Sequence, residues 1–479
     1  MGIYTGINDD NHVDIVIIGA GASGMAAAIS AARVFSANVY SANTNPVNTH
    51  PLSANLANAD PVSACHSNTN PVNTCPANAN PTNTNPVNTK PVNTKFVNTN
   101  QVSANHANTC PTNADPTNTN RANENPAKIV LLEKNSEPGK KLLVTGHGRC
   151  NLTNVACEDS ENVLNFFRRM GMLLRLEKGG MYYPASGQAA TVRDALRECI
   201  GRMKIDICVD QSVSEVQKTG DCFIIYTDKD IFTATKLILA TGGKAGPQFG
   251  CTGDGYVIAK ALGHSITSPL PALVQMVCDE EAKGRLIALK GVRVKGAASF
   301  YCRGELLETA VGEIQFGETG LSGICIFDLS RNMRLKEDRV WVKLDLAPDY
   351  SKEEIECLLK EGLPAGLTGI LPQKVASLIE EEANSDPKQC AELIKGMTFN
   401  VTGTKGWKEA QVTSGGIRLS EIDMDMDTME SKHTPGFYMC GEVLDYDGKC
   451  GGFNLNWAWN TGIKAGQAAA WSILKEKTI

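Results

Sequence analysis

Three observations in the sequence predict an α/β fold built on a parallel sheet. The apolar, β-branched run Val13 to Ile18 empties into Gly19-x-Gly21-x-x-Gly24 and then into a small-residue helix, which is the order strand, tight turn, helix. A second apolar strand, Lys128 to Leu132, ends in the acid Glu133, and a third, Lys236 to Ala240, runs into Thr241-Gly242-Gly243. Each glycine of the first turn has its own task. Gly19 allows the turn, Gly21 lets backbone approach a pyrophosphate, and Gly24 lets the helix pack close to the strand. The helix start at Ala22 and Ser23 then offers unpaired N–H groups and a positive dipole end to phosphate. The motif is Rossmann-like, and Glu133 is the acid expected on the adenosine ribose, with Lys134 beside it.

The spacing needs an explanation, because from Gly24 to Glu133 is 109 positions where an uninterrupted unit has about 20. Between them, Phe35 to Glu124 falls into 18 five-residue units such as NPVNT and HPLSA, 90 residues in all. Without them the interval is 19 positions, and the fingerprint is restored. The repeat is rich in Asn, Thr, Ala and Pro, and its charges (Asp60, Lys90, Lys95, Asp115, Arg121, Glu124) balance. Such a segment buries too little to offset its chain entropy, so disorder with polyproline II character is expected rather than a square β-helix. The expected domains are 1–34 with 127–268 as the first part of the dinucleotide-binding domain, and 35–126 as the repeat insertion. An inserted domain of β and α parts at 269–411 follows, and 412–479 closes the first domain.

Composition excludes several classes. The formal charge is −6 and Lys and Arg form no long runs, so nothing marks a nucleic-acid partner. No apolar stretch approaches the roughly 18 residues of a membrane span, and the first residues lack a basic leader, so a cytoplasmic protein acting on a small molecule is expected. Sixteen cysteines include no CxxC pair, which reads as reduced, mostly buried thiols. Three of the seven histidines lie in the repeat and there is no HExxH, so no metal site is expected.

Along the rest of the chain, PGKKLLVTGHGRCNLTN follows Glu133, and Lys140, Lys141 and Arg149 there can neutralise phosphate. Helices are expected at Glu161–Met170 and Ala189–Met203, with an irregular GGMYYPASGQAA between them. Four short strands from Ile205 to Thr235 read as a meander before the buried strand Lys236–Ala240. A second glycine turn, Thr252 to Gly255, opens a helix at Tyr256–Leu262. Pro269 to Leu346 is β-rich and Ser351 to Met397 helical. Finally, Phe437–Cys440 delivers Gly441-Glu442, and Gly451 to Asn454 opens the last helix.

The blocks GAGASG, TGHGRCNLTN, VTSGGIRLSEID and PGFYMCGEVLDYDGKCGGFNLNWAWNTG together resemble a bacterial FAD-dependent oxidoreductase family that includes aminoacetone oxidase and 3-dehydro-bile acid Δ4,6-reductase. The resemblance covers everything except the repeat. It implies FAD, with adenosine and pyrophosphate at Gly19, Gly21, Ala22, Ser23, Gly24 and Glu133. Further contacts are implied from Lys140, Lys141, Gly148, Arg149, Cys150 and Asn151, and from the Val213 backbone at adenine. Thr241, Gly242, Gly441, Glu442, Gly452, Phe453 and Asn454 would line the ribitol and ring. His147 departs from the family's usual glycine, and Lys449-Cys450 replace a commoner aromatic and hydroxyl pair.

Only one complete GxGxxG with its acid is present, so NAD(P)H is expected as a transient electron donor without a second dinucleotide domain. The resemblance implies hydride transfer from reduced flavin to the conjugated C=C of a 3-oxo steroid-like substrate. An amine oxidase of the aminoacetone type and a flavoprotein scaffold are the alternatives. Tyr182, Tyr183, Tyr446 and His147 are the candidate proton donors.

Overall fold

The computed structural model describes residues 12–42, 127–335, 339–362 and 365–477. The repeat from residue 43 to 126 lies outside the described residues. Strand β1 (His12–Ile18), helix α1 (Ala22–Ala42) and β2 (Ile129–Leu132) open the chain. α1 runs through Ala42, past the boundary that the repeat register placed at Phe35. The stretch FSANVYSA holds no proline or glycine to end a helix, and Ser36 Oγ donates back to the Ala32 carbonyl at 2.9 Å.

Next come β3 (Thr153–Asn154), α2 (Ser160–Arg168), β4 (Leu174–Leu176), β5 (Met181–Pro184) and α3 (Ala189–Arg202). β5 lies between β3 and β4 in a small antiparallel sheet, so the stretch around Tyr182 and Tyr183 is a strand where the sequence suggested irregular chain.

β6 (Asp206–Cys208), β7 (Val213–Thr219), β8 (Cys222–Thr227) and β9 (Ile231–Leu239) complete the main sheet, in the order β6-β2-β1-β9-β8-β7. β6 pairs parallel with β2 and so leaves the expected meander for the parallel edge. β9 is one strand, with no break between Thr235 and Lys236. One flank pairs with β1 from Thr233 to Leu239, while the other pairs with β8 up to Ala234 and is taken over from Leu237 by β18, described below. The change of neighbour, not a turn, alters the apolar pattern along it.

α4 (Asp254–Ala261) and β10 (Ile266–Ala272) lead away from this sheet. β11 (Met276–Cys278), α5 (Lys283–Leu289), β12 (Arg293–Cys302), β13 (Glu305–Phe316), β14 (Gly320–Ser322), α6 (Ile324–Ser330) and β15 (Val340–Asp345) follow. Then come α7 (Lys352–Lys360), α8 (Gln373–Glu382), α9 (Pro387–Gly396) and β16 (Met397–Thr404). The six strands close into a barrel, β11-β14-β13-β12-β15-β16. Alternate residues point inward, Ala298, Phe300 and Cys302 from β12 and Val340, Val342 and Leu344 from β15, as a period of two requires. Ile355, Val375, Ile379 and Ile394 of the three helices extend the same core.

β17 (Val412–Ile417) returns antiparallel to β10, with Ile266 opposite Ile417 and Ala272 opposite Val412. The outgoing and returning chain therefore leave the main sheet as one ribbon. β18 (Phe437–Met439) then pairs with β9, and α10 (Phe453–Glu476) lies against α1. That contact rests on glycines: a Cβ on Gly462 would stand 2.3 Å from the Ser23 carbonyl oxygen, and one on Gly466 would stand 2.1 Å from that of Ala27. Close approach lets Trp459, fully buried, meet Phe167 edge to face at 5.0 Å.

Candidate active site

The carboxyl ends of β1, β2 and β9, at Ile18, Leu132 and Ala240, border an open cavity. Three helices begin on it, α1 through Gly21, Ala22 and Ser23, α4 through Asp254, and α10 through Asn454. Helix starts carry unpaired N–H groups and positive dipole ends, so the cavity suits an anion. The glycines divide by cause. Gly19 (φ 102°) sits so tightly on the end of β9 that a Cβ would lie 2.5 Å from the Ala240 carbonyl oxygen. On Gly24 a Cβ would lie 1.9 Å from the Gly19 carbonyl oxygen. On Gly21 it would meet nothing within 4 Å. The protein itself demands the first two glycines; the third is open to whatever fills the cavity.

Glu133, buried at the end of β2, holds the turn by accepting the Ala20 N–H at 3.0 Å and the Asn135 N–H at 2.9 Å. Lys134 pairs with Asp254 at 2.5 Å. Burial works against the Asp254 carboxylate, but Lys134 and Thr252 outweigh it and hold the group below its ordinary value. Lys141 donates to Glu442 Oε2 at 2.7 Å, and Glu442 Oε1 accepts the Thr413 N–H at 2.8 Å. Burial opposes the Lys141 ammonium, yet Glu442 raises it above the usual lysine value. The expected phosphate partner Lys141 is thus already engaged with a carboxylate, while Lys140 also lines the cavity.

Gly19, Gly21, Ala22, Ser23, Glu133, Lys134, Lys140, Lys141, Val213, Thr241, Gly242, Glu442 and Asn454 all border the cavity. Other expected residues do not. Arg149 donates to Glu177 and lies over the Tyr183 ring at 4.1 Å, off the cavity wall. Cys150 is buried, and burial pushes its thiol up to about 12. Gly148 is exposed beside His147, whose φ of 56° puts a histidine in the left-handed region that favours glycine. Gly24 and Gly441 are packing positions, a Cβ on Gly441 falling 2.4 Å from Ser23 Oγ. Gly452 and Phe453 start α10 behind the wall, where a Cβ on Gly452 would lie 2.9 Å from Asn151 Oδ1.

Among the candidate donors, Tyr446 borders the cavity, stacked on Trp457 at 4.2 Å. Burial raises its hydroxyl above the ordinary tyrosine value. Tyr182 and Tyr183 sit on β5 and His147 is exposed; none of the three reaches the cavity. Sequence reasoning missed Trp457, Asn135 and Gln211 on the wall. It also missed Thr413, whose Oγ1 accepts the N–H of Lys244 at 2.8 Å and of Ala245 at 3.0 Å.

The residues fit a dinucleotide: helix starts and lysines for phosphate, an acid at the end of β2, and a flat aromatic wall at Tyr446 and Trp457. Asn151, another expected contact, does not border the cavity; among the described residues its buried Oδ1 has no hydrogen-bond partner. The family pattern described as HI0933-like protein Rossmann domain matches residues 158–468. The chain belongs to the HI0933-like family. This HI0933-like chain is an FAD-dependent oxidoreductase. It is 34% identical over 386 residues to a 3-dehydro-bile acid delta(4,6)-reductase of Clostridium scindens, covering 72% of this chain and 93% of the relative. To a ribosomal RNA dihydrouridine synthase of Haemophilus influenzae it is 26% identical over 372 residues, covering 70% and 90%. Among solved structures it is similar to a 3-ketosteroid-delta4-(5alpha)-dehydrogenase of Rhodococcus jostii RHA1, at 14% identity and a TM-score of 0.44, covering 97% of this chain and 98% of that one.

Proposed function

We propose that this chain reduces a C=C bond conjugated to a carbonyl, that its substrate is a 3-oxo-4,6-diene acid of the steroid type, and that NAD(P)H supplies the electrons as a transient co-substrate. The observation that carries this reading is the 34% identity across 93% of a bile acid reductase. The dihydrouridine synthase relatives share the chemistry, because the C5=C6 bond of uracil is also conjugated to a carbonyl. Bound FAD, once reduced, supplies a hydride for the β-carbon of such a system.

The chain's own part is to hold the cofactor and manage one proton. Gly21 and the start of α1 would receive the pyrophosphate, Glu133 and Val213 the adenosine, and Thr241, Glu442 and Asn454 the ribitol side. Tyr446 borders the cavity with its hydroxyl kept protonated by burial, and donates the proton that the α-carbon needs as the double bond saturates. Trp457 holds the Tyr446 ring by stacking. Incubating the holoenzyme under argon with NADH or NADPH and a 3-oxo-4,6-diene bile acid should give products heavier by two hydrogens per reduced bond. Recovery of unchanged dienone would contradict the reading.

A second reading, reduction of uridine in ribosomal RNA, is favoured by the 26% identity to the H. influenzae synthase. The net charge of −6 argues for the small substrate, since RNA contacts are driven by basic surface.

A further inference from the structure

We propose that His264, Glu421 and His433 form a binding site for a divalent transition metal of the zinc class, separate from the flavin cavity. The three residues come from distant points: His264 just after α4, Glu421 in the short turn Leu419–Glu421 after β17, and His433 in the loop before β18. The fold draws one ligand atom from each to within 4.8 Å of the others. Glu421 Oε2 lies 3.1 Å from His264 Nδ1 and 3.7 Å from His433 Nε2. Ligand atoms bound at tetrahedral zinc are roughly 3.3–3.5 Å apart, so an ion fits between them with small adjustments.

Neighbours fix the orientation of these groups. Ser431 Oγ stands 2.8 Å from His264 Nε2 and is pinned by the N–H groups of His433 and Thr434 at 3.0 and 2.8 Å. The Ser265 N–H donates to Glu421 Oε2 at 2.8 Å. Such outer partners set ring and carboxylate geometry in metal sites. Burial holds His264 below the ordinary histidine value, in the neutral form a metal needs. Burial disfavours the Glu421 carboxylate, but Ser265 and His264 hold it below the usual range and keep it ionised. The ion takes the place of the ring proton between Nδ1 and Glu421, and that proton moves to Nε2 facing Ser431. The His264 side chain is fully buried while that of His433 is 46% exposed, which leaves an entry side and room for water as fourth ligand.

α4 starts on the cavity at Asp254 and lines it as far as Ile258, with His264 six positions further on, and none of His264, Glu421 and His433 borders the cavity. The ion therefore clips the α4–β10 turn to the segment preceding β18 and takes no part in the reaction. The test uses the full-length, FAD-loaded protein, freed of metal with a chelator and titrated with Zn2+ and separately with Co2+. Histidines and thiols elsewhere are controlled by His433→Ala, at a half-exposed position, and Glu421→Gln. The wild type should bind one equivalent more than either variant, with a Co2+ absorption band that both lose. Zn2+ should raise its Tm by about 2–5 °C, with no such rise in the variants and flavin content equal in all three. Equal stoichiometry and equal Tm response in wild type and variants would overturn the proposal.

Discussion

The main sheet and the barrel solve opposite problems. At the sheet's carboxyl edge the backbone itself must approach a ligand, so the chain uses short glycine turns whose roles are written in a few consecutive residues. In the barrel the side chains make the core, and closure depends on β16 meeting β11, Met276 opposite Thr404, across more than a hundred residues of chain. A region that works through backbone is legible locally; a region that works through packing is legible only as a period. This contrast predicts that the two regions fail differently.

Gly24 and Phe300 belong to packing on either side of the comparison. Gly24→Val places atoms where the Gly19 carbonyl oxygen would be 1.9 Å from Cβ, and should cost at least about 3 kcal/mol by overpacking. Phe300→Ala should cost about 3–5 kcal/mol by emptying the barrel core. Thermal unfolding should show both losses. Flavin retained by the Phe300 variant below its Tm, but not by the Gly24 variant, would sharpen the contrast.

Gly21→Val separates cofactor from fold. With nothing within 4 Å of its Cβ, the apoprotein should melt within about 1 °C of wild type, because it gains no clash. FAD affinity should nevertheless fall at least about 100-fold, the pyrophosphate losing its approach to the backbone. A yellow variant with wild-type FAD content would break the division between glycines the protein needs and glycines the ligand needs.

Tyr446→Phe should keep flavin and lower single-turnover reduction of the dienone by about 10²-fold, the usual size of a lost general acid. Tyr183→Phe, on β5 beneath Arg149, should change the rate less than about 2-fold, since it touches no reacting group. Equal losses from both would remove Tyr446 from its role.

The smallest effect concerns pH. The folded Asp254 carboxyl is held below its ordinary value chiefly by Lys134 against the cost of burial. Its contribution is therefore complete above the unfolded value of about 3.9 and disappears as pH falls through the lower folded value. Both side chains are partly exposed, 28% and 47%, so Lys134→Ala should remove no more than about 0.5 kcal/mol of stability above pH 5. Denaturation of the two proteins should converge toward pH 2.

The glycine turn, the second strand and Glu133 were readable from sequence because each is local once the repeat is subtracted from the spacing. The same locality misled elsewhere. Lys141 and Arg149 read as free cations from their place in a basic loop, but the fold pairs them with Glu442, 301 positions on, and Glu177, 28 positions on. β6 reads like its neighbours in the meander, and β2 beside it decides its direction. The choice of Tyr446 over Tyr183 and His147 needed the wall formed with Trp457, which no spacing encodes. His264, Glu421 and His433 are 157 and 12 positions apart, so their meeting is visible only in the fold.

Hydride transfer from reduced flavin in this cavity to a C=C conjugated to a carbonyl is the step we propose. Its direct test is single-turnover flavin reoxidation in a stopped-flow cell under argon, with photoreduced holoenzyme mixed against a 3-oxo-4,6-diene bile acid, ribosomal RNA, or buffer. Reoxidation by the dienone should be fast, saturable and slowed in Tyr446→Phe. Flavin that stays reduced with the dienone, yet is reduced from the oxidised state by aminoacetone and reoxidised by oxygen, would contradict the account and assign the chain to amine oxidation.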